Sequence, residues 1–517
     1  MNLKRTSLIL WLSLITAWCF DFLFWKHAQG VSFPIFVVLT LAVGLLLLHL
    51  EGYKASWRSL LLLAPILFFA AMFAVRREPL STFLDFCLTL GSMLLMTLTL
   101  RSGLWVQYSL SDMVTNTFML GINSLTGGSD LLAALKKNET ENEGAVKLKP
   151  WAVLRGLLLA FPLVFILAML LAAADPIFSK MLNDTLNLEQ WTEYALRGIY
   201  IFVLAYLLVG IFVYLLARSD NERLIGIEKP WLTPFLGFTE AAVILAAVDL
   251  LFAVFVGIQF RYFFGGQANI HLDGFTYAEY ARRGFGELVA VAVLSLLLFQ
   301  GLSTITRRTD LNSRRVFSGL GIGLVALVLV MLVSAFQRLL LYESVYGFSR
   351  MRTYPHIFMI WLGLLLLATI VLEVMQRQRL FSLVTLFAVV GFGASLNLLN
   401  VDAYIVRQNV ALTAQGSPLD IHYFADLSDD AVPVMFESYQ AAADAKIKDA
   451  LGAQLACRSA LKEKRQDNAW QAFNWSDSQA RTLFAAYAGE LAAYPVSQTG
   501  DGLWQVRVNG LSQDCVW

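Results

Sequence analysis

Arginine, aromatic and acidic side chains concentrate in three short stretches of this 517-residue chain. Gln259 to Gly266 with Phe275 to Leu288 form the first, which carries Arg261, Tyr262, Glu279, Tyr280, Arg282 and Arg283. The second is Tyr342 to His356, with Glu343, Tyr346, Arg350, Arg352 and His356; the third is Val401 to Asn409, with Asp402 and Arg407. A guanidinium offers a planar fork of donors to phosphates and carboxylates, and it stacks on aromatic rings. Several of them beside tyrosines could hold the anionic head of a lipid, a lipid-linked ligand or an acidic polymer. The same charges could also satisfy one another. Glu279 stands three and four residues before Arg282 and Arg283, the spacing of neighbours on one helical face. In that reading they tie loops to the rest of the protein through charge-assisted hydrogen bonds.

Asp249 is a different kind of candidate. It lies near the middle of an apolar run, where a charge is costly unless paired or solvated. Glu240 precedes it by nine residues, two and a half helical turns, so the two carboxylates face opposite sides and make no acid/base couple. Alone, Asp249 could relay protons or ions, or simply bond a neighbouring helix. Ser459-Ala-Leu-Lys462 has the serine–lysine spacing of penicillin-binding enzymes without their companion motifs. Gly319-Leu-Gly321-Ile-Gly323 opens an apolar run rather than joining a strand to a helix, so close helix packing explains it better than a nucleotide loop. Histidines at 27, 49, 271, 356 and 422 have no metal-ligand spacing. No metal, no cofactor and no catalytic motif is expected.

The composition says what must position these residues. Hydrophobic residues are 58% of the chain and charged ones 15%, against about 25% in an average soluble protein. A soluble enzyme, a nucleic-acid binder and a disordered scaffold are excluded for the whole chain. Eleven runs are long enough to span a bilayer as helices, at about 8–25, 33–50, 59–75, 82–100, 151–174, 197–217, 235–258, 287–305, 316–337, 356–375 and 380–399. The first follows Lys4 and Arg5 and lacks a small-residue cleavage site, so it reads as an uncleaved anchor. The linker 101–150 includes an amphipathic segment, Asp112 to Leu135, interrupted by Gly127-Gly128 and expected to lie on the inner leaflet. The expected fold is thus an all-α polytopic bundle of about 11 transmembrane helices (1–399), followed by a mostly helical domain (400–517).

Charge gives the bundle an orientation. With the N-terminus cytoplasmic, 18 Lys and Arg fall in cytoplasmic segments and 10 in the opposite loops, as the positive-inside rule requires. After eleven crossings the C-terminus is extracytoplasmic. Residues 1–399 carry 30 basic and 24 acidic residues, whereas 400–517 carry 9 and 14, so a formal charge of +1 hides a basic bundle and an acidic tail. Cys457 and Cys515, the two cysteines of that tail, would face the oxidising side and are candidates for a disulfide, two unrelated thiols being the alternative. Within the tail, Ser428 can cap a helix beginning Asp429-Asp430, and Ser476-Asp477-Ser478-Gln479 reads as a capping box. Leu503 to Val508 alternates as one short strand before Asn509-Gly510.

The three arginine–aromatic stretches, with Leu419-Asp420-Ile-His-Tyr423 and Leu427-Ser-Asp-Asp-Ala-Val-Pro433 in the same order, resemble bacterial membrane proteins of the domain-of-unknown-function 4153/4173 family. The resemblance covers the seventh span to about Pro433. It implies a bacterial inner membrane and brings no activity. Three readings of function follow. The first is a non-catalytic envelope sensor or scaffold presenting 400–517 to envelope proteins. The second is a transporter or flippase working through the bundle interior. The third, an envelope glycosyl- or acyl-transferase, is weakened by a first outer loop that is short and lacks a carboxylate.

Overall fold

The computed structural model describes residues 5–140, 160, 163–164, 167–178, 181, 188–220, 224, 233–263, 285–308, 310–417, 419–464, 469–499 and 503–515. Among the described residues, ten helices are long and apolar enough to cross a membrane. They are α1 (Thr6–Phe24), α2 (Ser32–Leu50), the pair α3 (Trp57–Leu60) and α4 (Leu63–Val75), α5 (Pro79–Thr99), α7 (Leu188–Ala217), α8 (Phe238–Phe263), α9 (Phe285–Ile305), α10 (Leu311–Tyr346), α11 (Arg350–Val374) and α12 (Phe381–Leu399). Between α5 and α7 lies α6 (Leu110–Thr140). The protein is an all-α polytopic membrane protein. Helices are forced here, because in lipid every backbone N–H and C=O needs a partner within the chain. The expected span at 151–174 falls mostly outside the described residues.

Three helices start five or more residues before their expected bounds: α7 at Leu188, α10 at Leu311 and α11 at Arg350. At 36 residues, α10 is roughly 54 Å long, against a hydrocarbon core of about 30 Å, so its ends project. Asp310 caps it by accepting the Ser313 N–H at 3.0 Å. Helix α11 begins at Arg350, which puts Pro355 in its second turn.

One compact unit comprises Met1–Ala64, Met93–Leu104 and Val114–Glu222. In it α1 packs on α2 and α7, and Arg197 gives Nε to Asp21 at 2.9 Å while Tyr200 donates to the same carboxylate. Asp21 is 2% exposed and is paired with Arg197 within this unit. Helix α6 runs through Gly127-Gly128 without a break. A Cβ at Gly127 would stand 3.1 Å from the Gly210 Cα, and one at Gly128 2.4 Å from the Tyr206 ring. These glycines bring α6 against α7, which is why the segment stays helical where its sequence suggests an interruption.

The second unit comprises Pro65–Ser92, Trp105–Met113 and Arg223–Trp517. Helices α8 to α11 share a core centred on Leu245, Phe299, Phe317, Leu324, Val328, Ala335 and Leu366. Gly321 admits the Phe299 ring, to which an added Cβ would come within 2.1 Å, whereas Gly319 has open space. Helix α12 is followed after one residue by α13 (Val401–Thr413). That residue, Asn400, adopts φ +52°, the left-handed region, and its side chain accepts the Ala403 N–H to cap α13.

The remaining elements build on α13. They are α14 (Ile421–Ala425), α15 (Val432–Ala441), α16 (Ala445–Lys464), α17 (Trp475–Ala486), α18 (Ala488–Leu491) and strands β1 (Val496–Gln498), β2 (Trp504–Val508) and β3 (Leu511–Asp514). Phe424, Met435, Phe436, Leu451, Leu455 and Phe484 form their core, which continues into Leu396 of α12 and Ile357 of α11. The expected single strand is the middle of a three-stranded antiparallel sheet, ordered β1-β2-β3, with Val506 paired to both Val496 and Gln513. Asn509 and Gly510, both at positive φ, make the two-residue turn between β2 and β3. Cys457 on α16 and Cys515 beyond β3 are joined by a disulfide, their Cα atoms 5.7 Å apart. The cap of α17 is Asn474, which accepts the Asp477 N–H at 3.2 Å; Ser476 instead turns its hydroxyl to Asp430.

Candidate functional site

A buried polar network occupies the end of the bundle where α4 and α12 finish and α5 and α11 begin. Its first part is Arg350, the opening residue of α11, which grips Asp402 with two parallel bonds: Nε to Oδ1 at 2.8 Å and Nη2 to Oδ2 at 2.5 Å. Asp402 is fully buried, in the first turn of α13, where the helix dipole favours a negative charge. Its Oδ2 also accepts the Ser428 N–H at 2.6 Å, and the Tyr423 hydroxyl oxygen accepts the Arg350 N–H at 2.7 Å. The bidentate fork is the strong form of this pair and fixes α11 against α13 and the segment after α14.

Asp430 supplies the second part. It is 2% exposed and takes the N–H groups of Arg77 and Glu78 at 2.8 Å each, the Ser428 hydroxyl at 3.1 Å, and the Ser476 hydroxyl. Burial pushes its carboxyl above the ordinary carboxylate value, while Ser476, the Arg77 N–H and the Arg76 guanidinium pull the other way. Glu78 accepts the Leu80 and Ser81 N–H groups at 2.8 and 2.6 Å, so it caps α5; the Tyr354 hydroxyl donates to it as well. Arg76 gives Nε and Nη2 to the Asn397 carbonyl at 3.0 and 2.7 Å. Two helix ends that would otherwise leave backbone groups bare are thereby closed by side chains from distant parts of the chain.

A third part lies within the tail. Arg458, 6% exposed, donates to the carbonyls of Phe424, Ala425, Leu427 and Ser428, closing the C-terminal end of α14. Burial draws its guanidinium below the ordinary value, against Asp429. Lys462 bonds Asp429 and stands 2.6 Å from Asp477. Burial alone would raise the Asp477 carboxyl, but the Lys462 bond and the charges of Lys462 and Arg481 hold it below the ordinary range. The Lys462 side chain, the lysine of the serine–lysine spacing, is thus held by two carboxylates.

The expected arginine–aromatic residues fall into separate arrangements. Arg350 and Asp402 belong to the network above. Glu343, 1% exposed near the end of α10, has Oε2 3.0 Å from His356 Nδ1, and Phe336 packs edge-on to that imidazole. Arg352 donates to the Tyr346 and Gly347 carbonyls and lies 4.3 Å over the Tyr342 ring. Arg407 is exposed and 4.0 Å from an equally exposed Glu437. Arg261 and Tyr262 end α8, their side chains outside the description, and Glu279, Tyr280, Arg282 and Arg283 lie outside the described residues. Asp249, on α8, faces a groove lined by Leu250, Ala253, Gly323, Ala326, Leu327 and Val330; its Oδ1 is buried with no hydrogen-bond partner among the described residues.

Several residues of the network escaped the sequence reading: Arg76, Glu78, Tyr354, Asn397 and Arg458. Asp85, near the start of a span, is expected to reach the interface but is fully enclosed. The Leu419–Tyr423 and Leu427–Pro433 motifs were the available signal, since they hold Tyr423, Ser428 and Asp430. The model of a family described as "Domain of unknown function (DUF4153)" matches residues 63–437. The match starts in α4, well before the seventh span, and takes in Arg76, Glu78, Asp85, Arg350, Asn397, Asp402 and Asp430. No curated protein and no solved structure matches the chain.

Proposed function

We propose that this chain, which belongs to the DUF4153 family, is a non-catalytic scaffold or sensor of the bacterial inner membrane that holds its C-terminal helices rigidly on the outer end of the bundle. The observation that carries this reading is the Arg350–Asp402–Ser428 clasp, joined through Asp430 to the start of α5. Both charges of the clasp are taken up internally, so it serves attachment rather than turnover. The tail keeps an exposed charged surface, including Arg407 and Glu437, for an envelope protein or an anionic lipid head group. Purification in mild detergent tests the reading. Envelope proteins should be retained by the full-length chain and lost from an Arg407→Glu, Glu437→Lys variant. An identical set from both would count against it.

A second reading, transport or flipping through the bundle interior, is favoured by one observation: the unpartnered Asp249 oxygen in an apolar groove. Under it, Asp249→Asn abolishes solute or lipid movement in reconstituted vesicles; under the scaffold reading, the same variant retains every bound partner.

A further inference from the structure

On two facing helices of the second unit, three buried oxygen atoms have no hydrogen-bond partner among the described residues. They are Asp85 Oδ2 and Thr89 Oγ1 on α5, and Asn397 Oδ1 on α12. All three residues are 0% exposed. Asp85 and Asn397 already share one bond, from Asn397 Nδ2 to Asp85 Oδ1 at 2.6 Å, and the amide also reaches the Gly393 carbonyl at 3.0 Å. The two atoms left over in this pair are both acceptors. A neutral carboxylic acid corrects that mismatch with one hydrogen, because an acid and a primary amide have complementary donors and acceptors.

The surrounding charges do not supply an alternative. Arg76, Glu78 and Asp430 are the charged groups whose fields reach Asp85. Arg76 binds the Asn397 carbonyl and lies 3.8 Å from Asp430; Glu78 and Asp430 are themselves acidic. No ion pair to Asp85 is present among the described residues. An ionised carboxylate inside a span, with one amide bond, would bear the cost of burying an unpaired charge. Glu78, Ser81, Asp85, Thr89 and Ser92 recur every three or four residues, and all are buried, so they form one polar face of α5 leading inward from the Glu78 network.

We infer that Asp85 is an intramembrane proton-binding site, closed by the Asn397 amide and reached along the polar face of α5. Binding takes a proton from solvent onto Oδ2, and the new O–H donates to Asn397 Oδ1; release restores the carboxylate and returns the proton along the same face. Neither the scaffold reading nor the Asp249 reading uses this pair.

The test is infrared spectroscopy of the full-length protein in nanodiscs, with carbon-13 in the aspartate carboxyl groups, across roughly pH 5–9. Wild type minus Asp85→Asn should show an isotope-shifted carbonyl stretch of a protonated acid at neutral pH, unaffected by saturating sodium or potassium. Asn397→Leu should move that band toward the position of a less hydrogen-bonded acid. The Asp85→Asn melting temperature should match wild type, since Asn has the shape and neutrality of the protonated acid. A featureless difference spectrum, or no shift in Asn397→Leu, overturns the inference. Loss of the band on adding sodium overturns it in favour of an alkali-cation site.

Discussion

Single side chains in this protein matter mainly by what would be left bare without them. Removing Arg350 leaves the fully buried Asp402 without its partner; breaking such a pair costs about 3–5 kcal/mol, far more than a surface ion pair is worth. We expect Arg350→Met or Asp402→Asn to lower the melting temperature sharply, and the double variant to recover part of the loss. Equal additive losses in a double-mutant cycle would refute coupling between them. Asp477 makes a prediction in acid. Its folded carboxyl lies below the ordinary value, so its stabilisation is present above the unfolded pKa, about 3.9, and is lost as pH falls through the lower folded value. The gap in melting temperature between wild type and Asp477→Asn should be constant above about pH 5 and close below about pH 4. A gap that persists in acid would show that Asp477 keeps its role when protonated. At this scale the sequence was half legible. Arg350 and Asp402 stand out as charges beside apolar runs, but nothing in their spacing says that they meet. Arg76 with Asn397 and Glu78 with Tyr354 are 321 and 276 residues apart, and a linear pattern cannot record which distant helices are neighbours.

Elements were the most legible scale, because a bilayer imposes a length and a composition that can be counted. The ten described spans fall on expected segments, and the differences arise at ends, where caps and tertiary contacts decide. Asn474 displaces Ser476 as the cap of α17 because Asp430 claims the serine hydroxyl. Glycines separate in the same way. Gly319 and Gly321 belong to one sequence motif, yet only Gly321 meets a neighbour, the Phe299 ring, which is 1% exposed and stacked on Phe317. Gly321→Ala should therefore cost about 1–3 kcal/mol through overpacking, whereas Gly319→Ala should be neutral or gain up to about 1 kcal/mol from helix propensity. Thermal unfolding of the two variants, side by side, checks this; equal effects would remove the close-packing account.

For the whole molecule, the 58-residue separation of Cys457 and Cys515 pins the last strand to α16. Loss of such a link typically costs about 2–4 kcal/mol, so Cys457→Ala, Cys515→Ala should leave the spans intact and make the tail the first part to yield to protease. Protection equal to wild type would mean that the tail core suffices alone. The proposed orientation adds a labelling test: after reduction of intact cells, a membrane-impermeant maleimide should reach these thiols, and labelling only after cell lysis would reverse the topology.

The Asp430 cap has a consequence in time. Its bonds to the Arg77 and Glu78 N–H groups close separations of 353 and 352 residues. At translation rates of about 5–20 residues per second, roughly 20–70 s pass between synthesis of α5 and arrival of the carboxylate that completes its beginning. Throughout that interval the nascent span is inserted but unfinished, and the final assembly of the bundle is scheduled by its own tail.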